Sequence, residues 1–412
     1  MSDNALREAE HLHLFEEEYR RDPYAFYANI RQKYPVAWDK ALNAWVVTRA
    51  EDVETVFKDA RTFSSDRVDI ARARFTDPNL KSLIDTLGHL MLQRDDPDHR
   101  RIRKLVHTAF VRTEVERYRD WIADLCRELL APAAKSGRLE FVKEFAVPLP
   151  ILVISKIIGI PREDRAKIKS WCDAFSFVAL NFYAKISPEK LAEGAAAVED
   201  FRSYLKARLA AARRSEDRCL LNTLAQAEAD GDRFTLDELI ANILFLINAG
   251  NETTRVLLSN GMHDLLINPD AMARLRADPT AIPAAVEEML RFEAPVQFLG
   301  RVATCDTNLA GNAVKRGDLV LVFLGSADRD EARFDHPDEF DISRQLNRHQ
   351  AFGNGPHLCA GIQLARLEAR IAFQVLLDVF SDIALAPGEL RYGQNMNLRG
   401  LTELPLLVTG RA

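Results

Sequence analysis

No stretch of this 412-residue chain is apolar enough to span a bilayer. A membrane helix needs about 20 consecutive apolar residues, and the longest apolar run, FAVPLPILVISKIIGI, is broken by Pro148, Pro150 and Lys156. The N-terminal MSDNALREAEHLHLFEEEYRRDP is charged and lacks the apolar core of a signal peptide, so a soluble, cytoplasmic, monomeric protein with no membrane association is expected. Cysteine is scarce. The five present, Cys126, Cys172, Cys219, Cys305 and Cys359, are odd in number and lack CxxC spacing, which argues against disulfides and zinc and for a reducing compartment. Positive charge is not in excess either: the formal net charge of -6 argues against nucleic acid as a main partner. Internal repeats, low-complexity tracts and strand-helix-strand alternation are also missing, which excludes solenoids and parallel α/β folds.

What is present is helical pattern. Residues 114–134, 188–213, 235–267, 280–292 and 361–380 are rich in Ala, Leu, Glu and Arg with apolar residues three and four apart. Strand-like stretches are short: PVAWD and AWVVTR near the N-terminus, DLVLVFLG at 318–325, and LPLLV near the end. The expectation is an N-terminal extension over 1–20, then one large, mainly α domain over 21–412 with small β-sheets at its margin.

The longest helix candidate starts at Thr235, where Glu238 stands three residues on, as a capping box requires. It runs to the residue before Asn268-Pro269, a rod of roughly 50 Å at the usual helical rise. Its first half is apolar nearly all round, and its middle, NAGNETT, turns polar. Ala249 and Thr253 share one face with Leu246, and Gly250 removes a side chain beside them. Glu252 adjoins this notch, where burying a carboxylate costs several kcal/mol unless it is paired or hydrated. Taken alone, the segment is either a kinked or solvent-facing helix centre or an acid and an alcohol beside a ligand.

Three further stretches carry chemistry. In EEMLRFEAPVQFLGR, Glu288 and Arg291 are one helical turn apart, which alone reads as a surface ion pair, and Arg301 follows past Pro295. In HRRIRKLVH, His99 and Arg103 share a face while Arg100, Arg101 and Lys104 point elsewhere. In FGNGPHLCAGIQLAR, Cys359 sits among glycines just ahead of a helical run. Glycines permit the positive φ that aims N–H groups at a sulfur, and a helix N-terminus lowers a thiol's pKa.

Taken together and in order, these stretches resemble the cytochrome P-450 family. Phe352, Gly355, Cys359 and Gly361 fit its Phe-x-x-Gly-x-x-x-Cys-x-Gly signature, and Ala249 to Thr253 is similar to its oxygen-activating motif. Glu288-x-x-Arg291 resembles its Glu-x-x-Arg pair, and His99-x-x-x-Arg103 its haem-propionate pair. The likeness runs from about residue 20 to the end. It implies a haem b cofactor with Cys359 as axial ligand to iron, since a cysteine thiolate pushes electron density that favours O–O cleavage. It implies that His99, Arg103, Arg301 and His357 meet the propionates, that Phe352 shields the sulfur, and that Ala249 and Gly250 lie against the ring. Thr253 and Glu252 become the catalytic alcohol and acid, and Glu288 and Arg291 a structural network. One departure stands out: where the family often has Pro-x-Arg-Phe, this chain reads Pro337, Asp338, Glu339, Phe340, so the third arm of that network is expected from Arg344 or is missing.

The implied function is a haem-thiolate monooxygenase that uses O2 to oxidise a terpenoid, steroid, macrolide or fatty-acid-like molecule. Leu246, Val296, Phe298, Leu299 and Leu398, with the 74–90 loop and 175–182, are its implied apolar pocket, and Gln297 or Arg74 an added polar contact. The sequence carries no flavin or iron–sulfur motif, so electrons are expected from NAD(P)H through a reductase and a ferredoxin or flavodoxin, docking on the spare basic residues Arg100, Arg101 and Lys104. The alternatives are a peroxide-driven enzyme, against which the Glu252-Thr253 pair speaks, and a non-enzymatic haem-binding protein of the same fold.

Overall fold

A computed structural model of the chain describes residues 8–9, 19, 21–181, 186–212, 219–226, 234–345, 347–393, 395 and 397–411. Most of the expected extension over 1–20, and residue 182 of the expected pocket stretch, lie outside the described residues. The helices used below are α1 (Tyr24–Lys33), α2 (Ala50–Lys58), α3 (Asp98–His107), α4 (Arg119–Ser136), α5 (Pro148–Ile158), α6 (Arg165–Asn181), α7 (Pro188–Ala212), α8 (Leu236–Ile267), α9 (Ile282–Phe292) and α10 (Ile362–Val379). The strands are β1 (Glu8–Ala9), β2 (Val36–Asp39), β3 (Ala44–Val47), β4 (Phe63–Ser64), β5 (Arg138–Glu140), β6 (Phe298–Ala303), β7 (Thr307–Leu309), β8 (Asn312–Val314), β9 (Leu319–Phe323), β10 (Phe380–Leu385) and β11 (Pro405–Gly410).

By packing, the chain forms two units, residues 1–64, 118–147 and 253–412, and residues 65–117 and 148–252. Neither is a continuous stretch of sequence, so they are not tandem domains.

All the strands belong to the first unit. Its main sheet has the order β1-β2-β3-β9-β6-β4. The tight turn between β2 and β3 places Asn43 at positive φ, a conformation Asn tolerates. β9 then joins β3 in parallel and β6 antiparallel, a register that sets Arg301 opposite Val320. Val47, Val53, Val56, Val320 and Val322 are wholly buried between this sheet and α2, as a β-branched run against an amphipathic helix dictates. A second sheet, β10-β11-β5, lies beside α4 and α10, which pack along each other. The expected helix over 361–380 therefore ends at Val379, and Phe380 opens β10 instead.

The described residues of the second unit form helices joined by turns, with no strand among them. α6 packs along α7, with Trp171 edge-on to Phe201 and its Nε1 donating to Asp200 at 3.2 Å. Residues 74–90, expected as a loop, fall largely in helices Val68–Arg74 and Lys81–Gly88. The second of these ends near Asn242 of α8, which accepts from the Met91 N–H at 2.8 Å and donates to the His89 carbonyl at 2.9 Å.

The long helix α8 forms where its caps predict. The Thr235 N–H donates to Glu238 Oε2 at 2.9 Å and the Glu238 N–H to Thr235 Oγ1 at 3.2 Å, so each satisfies a donor the helix start would leave open. At the far end Asn268 returns a hydrogen bond to the Asp264 carbonyl at 2.8 Å, and Pro269 starts the next helix.

Candidate active site

Between Gln350 and α10 the chain turns tightly around Cys359. Gly353 (φ 71°) and Gly355 (φ 69°) occupy the left-handed region, and a side chain at Gly355 would collide with the carbonyl oxygen of Phe57. Only glycine meets both demands without strain. A single 3-10 turn follows at Gly355–His357, and the Cys359 N–H then donates to the Phe352 carbonyl at 3.0 Å. This places a half-buried thiol three residues before Ile362, at the positive end of α10, an environment that favours a thiolate. His357 is half-buried in the same loop, and a side chain at Gly361 would rest on Cys359 Sγ at 4.0 Å.

Phe352 is held from two sides. His349 lies 5.8 Å from its ring and the Arg366 guanidinium 5.0 Å. Both bind Glu287 of α9: Arg366 Nε and Nη2 donate at 2.8 and 2.6 Å, and His349 Nε2 at 3.1 Å. The Ala351 N–H donates to His349 Nδ1 at 3.2 Å, which leaves Nε2 to face Glu287. Burial works against the charge on Glu287, but these hydrogen bonds outweigh it and hold the carboxyl down to about 2.

Next along α9, Glu288 and Arg291 are fully buried, not the surface pair their spacing alone implies. They form a two-pronged bond at 2.8 and 2.7 Å, and Arg291 also donates to the carbonyls of Asp328, Pro337 and Glu339 at 3.0, 2.7 and 2.9 Å. Glu288 accepts in turn from the Asp341 N–H, Arg344 Nε and Asn347 Nδ2 at 2.9, 3.3 and 3.0 Å. Arg344 thus supplies the third arm, and Glu339 contributes its main chain where its side chain cannot.

Arg301 on β6 is buried, donates to the Gly300 carbonyl at 2.8 Å and lies 5.1 Å from the Phe57 ring. Phe57 is therefore the common neighbour of Arg301 and the Cys359 loop, a role no local signal in α2 announced. Strand alternation puts Leu299 on the Arg301 face and Phe298 on the other, where it stacks on Phe323 at 5.2 Å and is buried. Phe298 is a core residue and not the pocket wall it was expected to be. Gln297 is likewise buried: it donates to the Ala294 carbonyl at 2.7 Å and accepts from Tyr27 Oη at 3.1 Å. Val296 and Leu299 stay half-buried, and Val296 bridges to Leu398.

In the second unit α3 buries His99, which burial and then the Arg103 charge push below the ordinary imidazole range. Arg100 and Lys104 are exposed, and Arg100 meets Asp96 at 2.6 Å. Arg101 corrects an expectation, because it is not spare: it turns inward and pairs with Glu238, the capping-box residue of α8. Along α8, Phe245, Ala249 and Thr253 are half-buried four residues apart and so share one face, and Leu246 is buried beside them. Gly250 is also corrected. A side chain there would press on Ile154 of α5 at 3.2 Å, so its missing side chain is filled by helix packing. Glu252 is half-buried, 3.7 Å from Lys169 Nζ on α6, and accepts from Asn251 Nδ2 at 3.4 Å.

The comparison that decides the family is with its sequence profile: residues 10–385 match that of cytochrome P-450. The chain belongs to the cytochrome P-450 family. It is 38% identical over 399 residues to cytochrome P-450 monooxygenase PikC of Streptomyces venezuelae, covering 95% of this chain and 92% of the relative. The structure of P-450 BioI with an acyl carrier protein ligated to hexadec-9Z-enoic acid matches at TM-score 0.89 and 34% identity, over 95% of this chain and 100% of that one. A Bacillus megaterium P-450 in complex with testosterone matches at TM-score 0.85 and 32% identity, over 95% and 99%. The chain is an oxidoreductase of the P-450 monooxygenase class.

Membership implies a haem iron, and the residues of this P-450 fit one. The first unit offers a half-buried thiol in a glycine cradle and the buried cation of Arg301. The second offers the buried imidazole of His99 with Arg103 one turn on. A soft thiolate suits iron, and buried cations and N–H donors suit carboxylates such as propionates. Among the described residues there is no cluster of His, Cys, Asp and Glu that could hold another metal ion, and no helix long and apolar enough to cross a membrane.

Proposed function

We propose that this P-450 binds haem b through Cys359 and oxidises a hydrophobic small organic molecule with O2 and externally supplied electrons. The observation that carries the reading is the Cys359 loop, a half-buried thiol ahead of a helix N-terminus with its own amide tied to Phe352. Held by Cys359, the haem would supply oxygen activation. His99, Arg103, Arg301 and His357 anchor the propionates, and Ala249 leaves room for the ring. Thr253 Oγ1 holds a proton at the reacting centre, and Glu252 renews it as the general acid.

The apolar contacts to substrate are Leu246, Val296, Leu299 and Leu398. A fatty-acyl chain and a steroid are the ligands named for the two structural relatives, and both support a large, mostly apolar substrate bound by shape. Electrons come from NAD(P)H through a reductase and a ferredoxin or flavodoxin, with Arg100 and Lys104 as the landing charges. Five scattered cysteines without CxxC spacing support a reducing, cytoplasmic location.

Cys359→Ser tests the reading. The red-shifted Soret band of the ferrous carbon monoxide complex is expected to vanish, and its survival removes Cys359 as the ligand.

A further inference from the structure

We propose that Glu287 is a positioning residue for the thiolate loop, one carboxylate that braces both ends of the segment carrying Cys359. This rests on the reading of Cys359 as the iron ligand. His349 enters the segment and Arg366 leaves it, and Glu287 Oε2 accepts from both, at 3.1 and 2.6 Å, while Oε1 accepts the second prong of Arg366 at 2.8 Å. The same two side chains flank the Phe352 ring. The Phe352 carbonyl in turn receives the Cys359 N–H at 3.0 Å. A continuous path of contacts therefore runs from Glu287 to the amide of the ligand residue.

The path is distinct from the neighbouring network. Glu288 holds the stretch from Asp341 to Asn347 and makes none of these contacts. Two consecutive glutamates on α9 thus brace two consecutive segments, and only the Glu287 brace encloses the cysteine. The Arg366 cation over Phe352 also adds an aromatic contact of a kind that strengthens when desolvated.

The test uses holoenzyme carrying Glu287→Gln, Arg366→Lys or His349→Gln, with amide hydrogen exchange read by mass spectrometry beside the ferrous carbon monoxide spectrum. In Glu287→Gln and Arg366→Lys, exchange across Phe352–Cys359 is expected to rise about tenfold while 341–345 stays within about twofold of wild type. The red-shifted Soret band is expected to decay several-fold faster in both. His349→Gln, which leaves the Arg366 arm intact, is expected to give a smaller rise, and with Arg366→Lys it decides the matter should Glu287→Gln fail to fold. Wild-type exchange in these variants overturns the brace, as does an equal rise in both segments. If Cys359→Ser keeps the red-shifted band, the ligand reading fails, while the exchange data still judge the brace on their own.

Discussion

Glu288 is a carboxylate with no access to solvent, and the cost of changing any neighbour depends on whether it donates a side chain or a main chain. Arg344→Leu removes one donor from a buried anion and is expected to destabilise the protein by about 1–3 kcal/mol in denaturant melts. Glu339→Ala leaves in place the carbonyl that accepts from Arg291 Nη2 and is expected to stay within about 0.5 kcal/mol. Equal losses would mean the network is held otherwise than the distances imply. The sequence marked Glu339 as a departure and named Arg344 as a substitute, but a backbone carbonyl standing in for a side chain leaves no trace in residue identity. Glu287 was unreadable for a related reason: beside Glu288 it is one more acid on a helix, and only folding brings His349 and Arg366 to it. At Thr253, replacement by Ala is expected to keep oxygen consumption but divert it several-fold toward hydrogen peroxide, measured by product and peroxide yields. Unchanged coupling removes Thr253 from the reaction.

Elements announced by signals close together in sequence were legible. The capping box, the apolar run and the terminal Asn-Pro placed α8 to within a residue, and the β2–β3 hairpin followed from two short β-branched runs. β6 was not legible, because Gly300 and Arg301 interrupt its alternation and the strand exists by virtue of its pairing with β9. Phe298 was misplaced with it. Gly250 looked like a notch for a ligand because helix packing against Ile154 depends on a partner about a hundred residues away. The Cys359 segment adds a pH dependence. Glu287, facing His349, Arg366 and Arg370, has its folded carboxyl at about 2 against an ordinary 4.5. A depressed carboxyl contributes stability that is complete above its unfolded value and lost as pH falls toward the folded one. The stability gap between wild type and Glu287→Gln is therefore expected to hold steady above about pH 5 and to close between 4.5 and 2. A gap that ignores pH over that range would show that the carboxylate is not held.

At the scale of the molecule, a mainly α chain with marginal sheets was plain from the helical periodicity and the shortness of the strands. Its division into two interleaved units was not, since segments far apart in sequence build each one and no linker marks the passages. Docking of an electron donor also belongs to this scale. Reversing Arg100 or Lys104 to Glu is expected to slow reduction of the iron several-fold at low salt, with the difference shrinking as ionic strength rises. Reduction unaffected by either change makes them ordinary solvated charges. Arg101 would mislead such a scan. Its partner Glu238 also closes the capping box of α8, so Arg101→Glu sets two carboxylates against each other at the start of that helix. A charge map that includes position 101 would count a frayed helix as a docking contact. The salt titration tells the two apart, because a lost docking contact fades in concentrated salt while a broken cap persists.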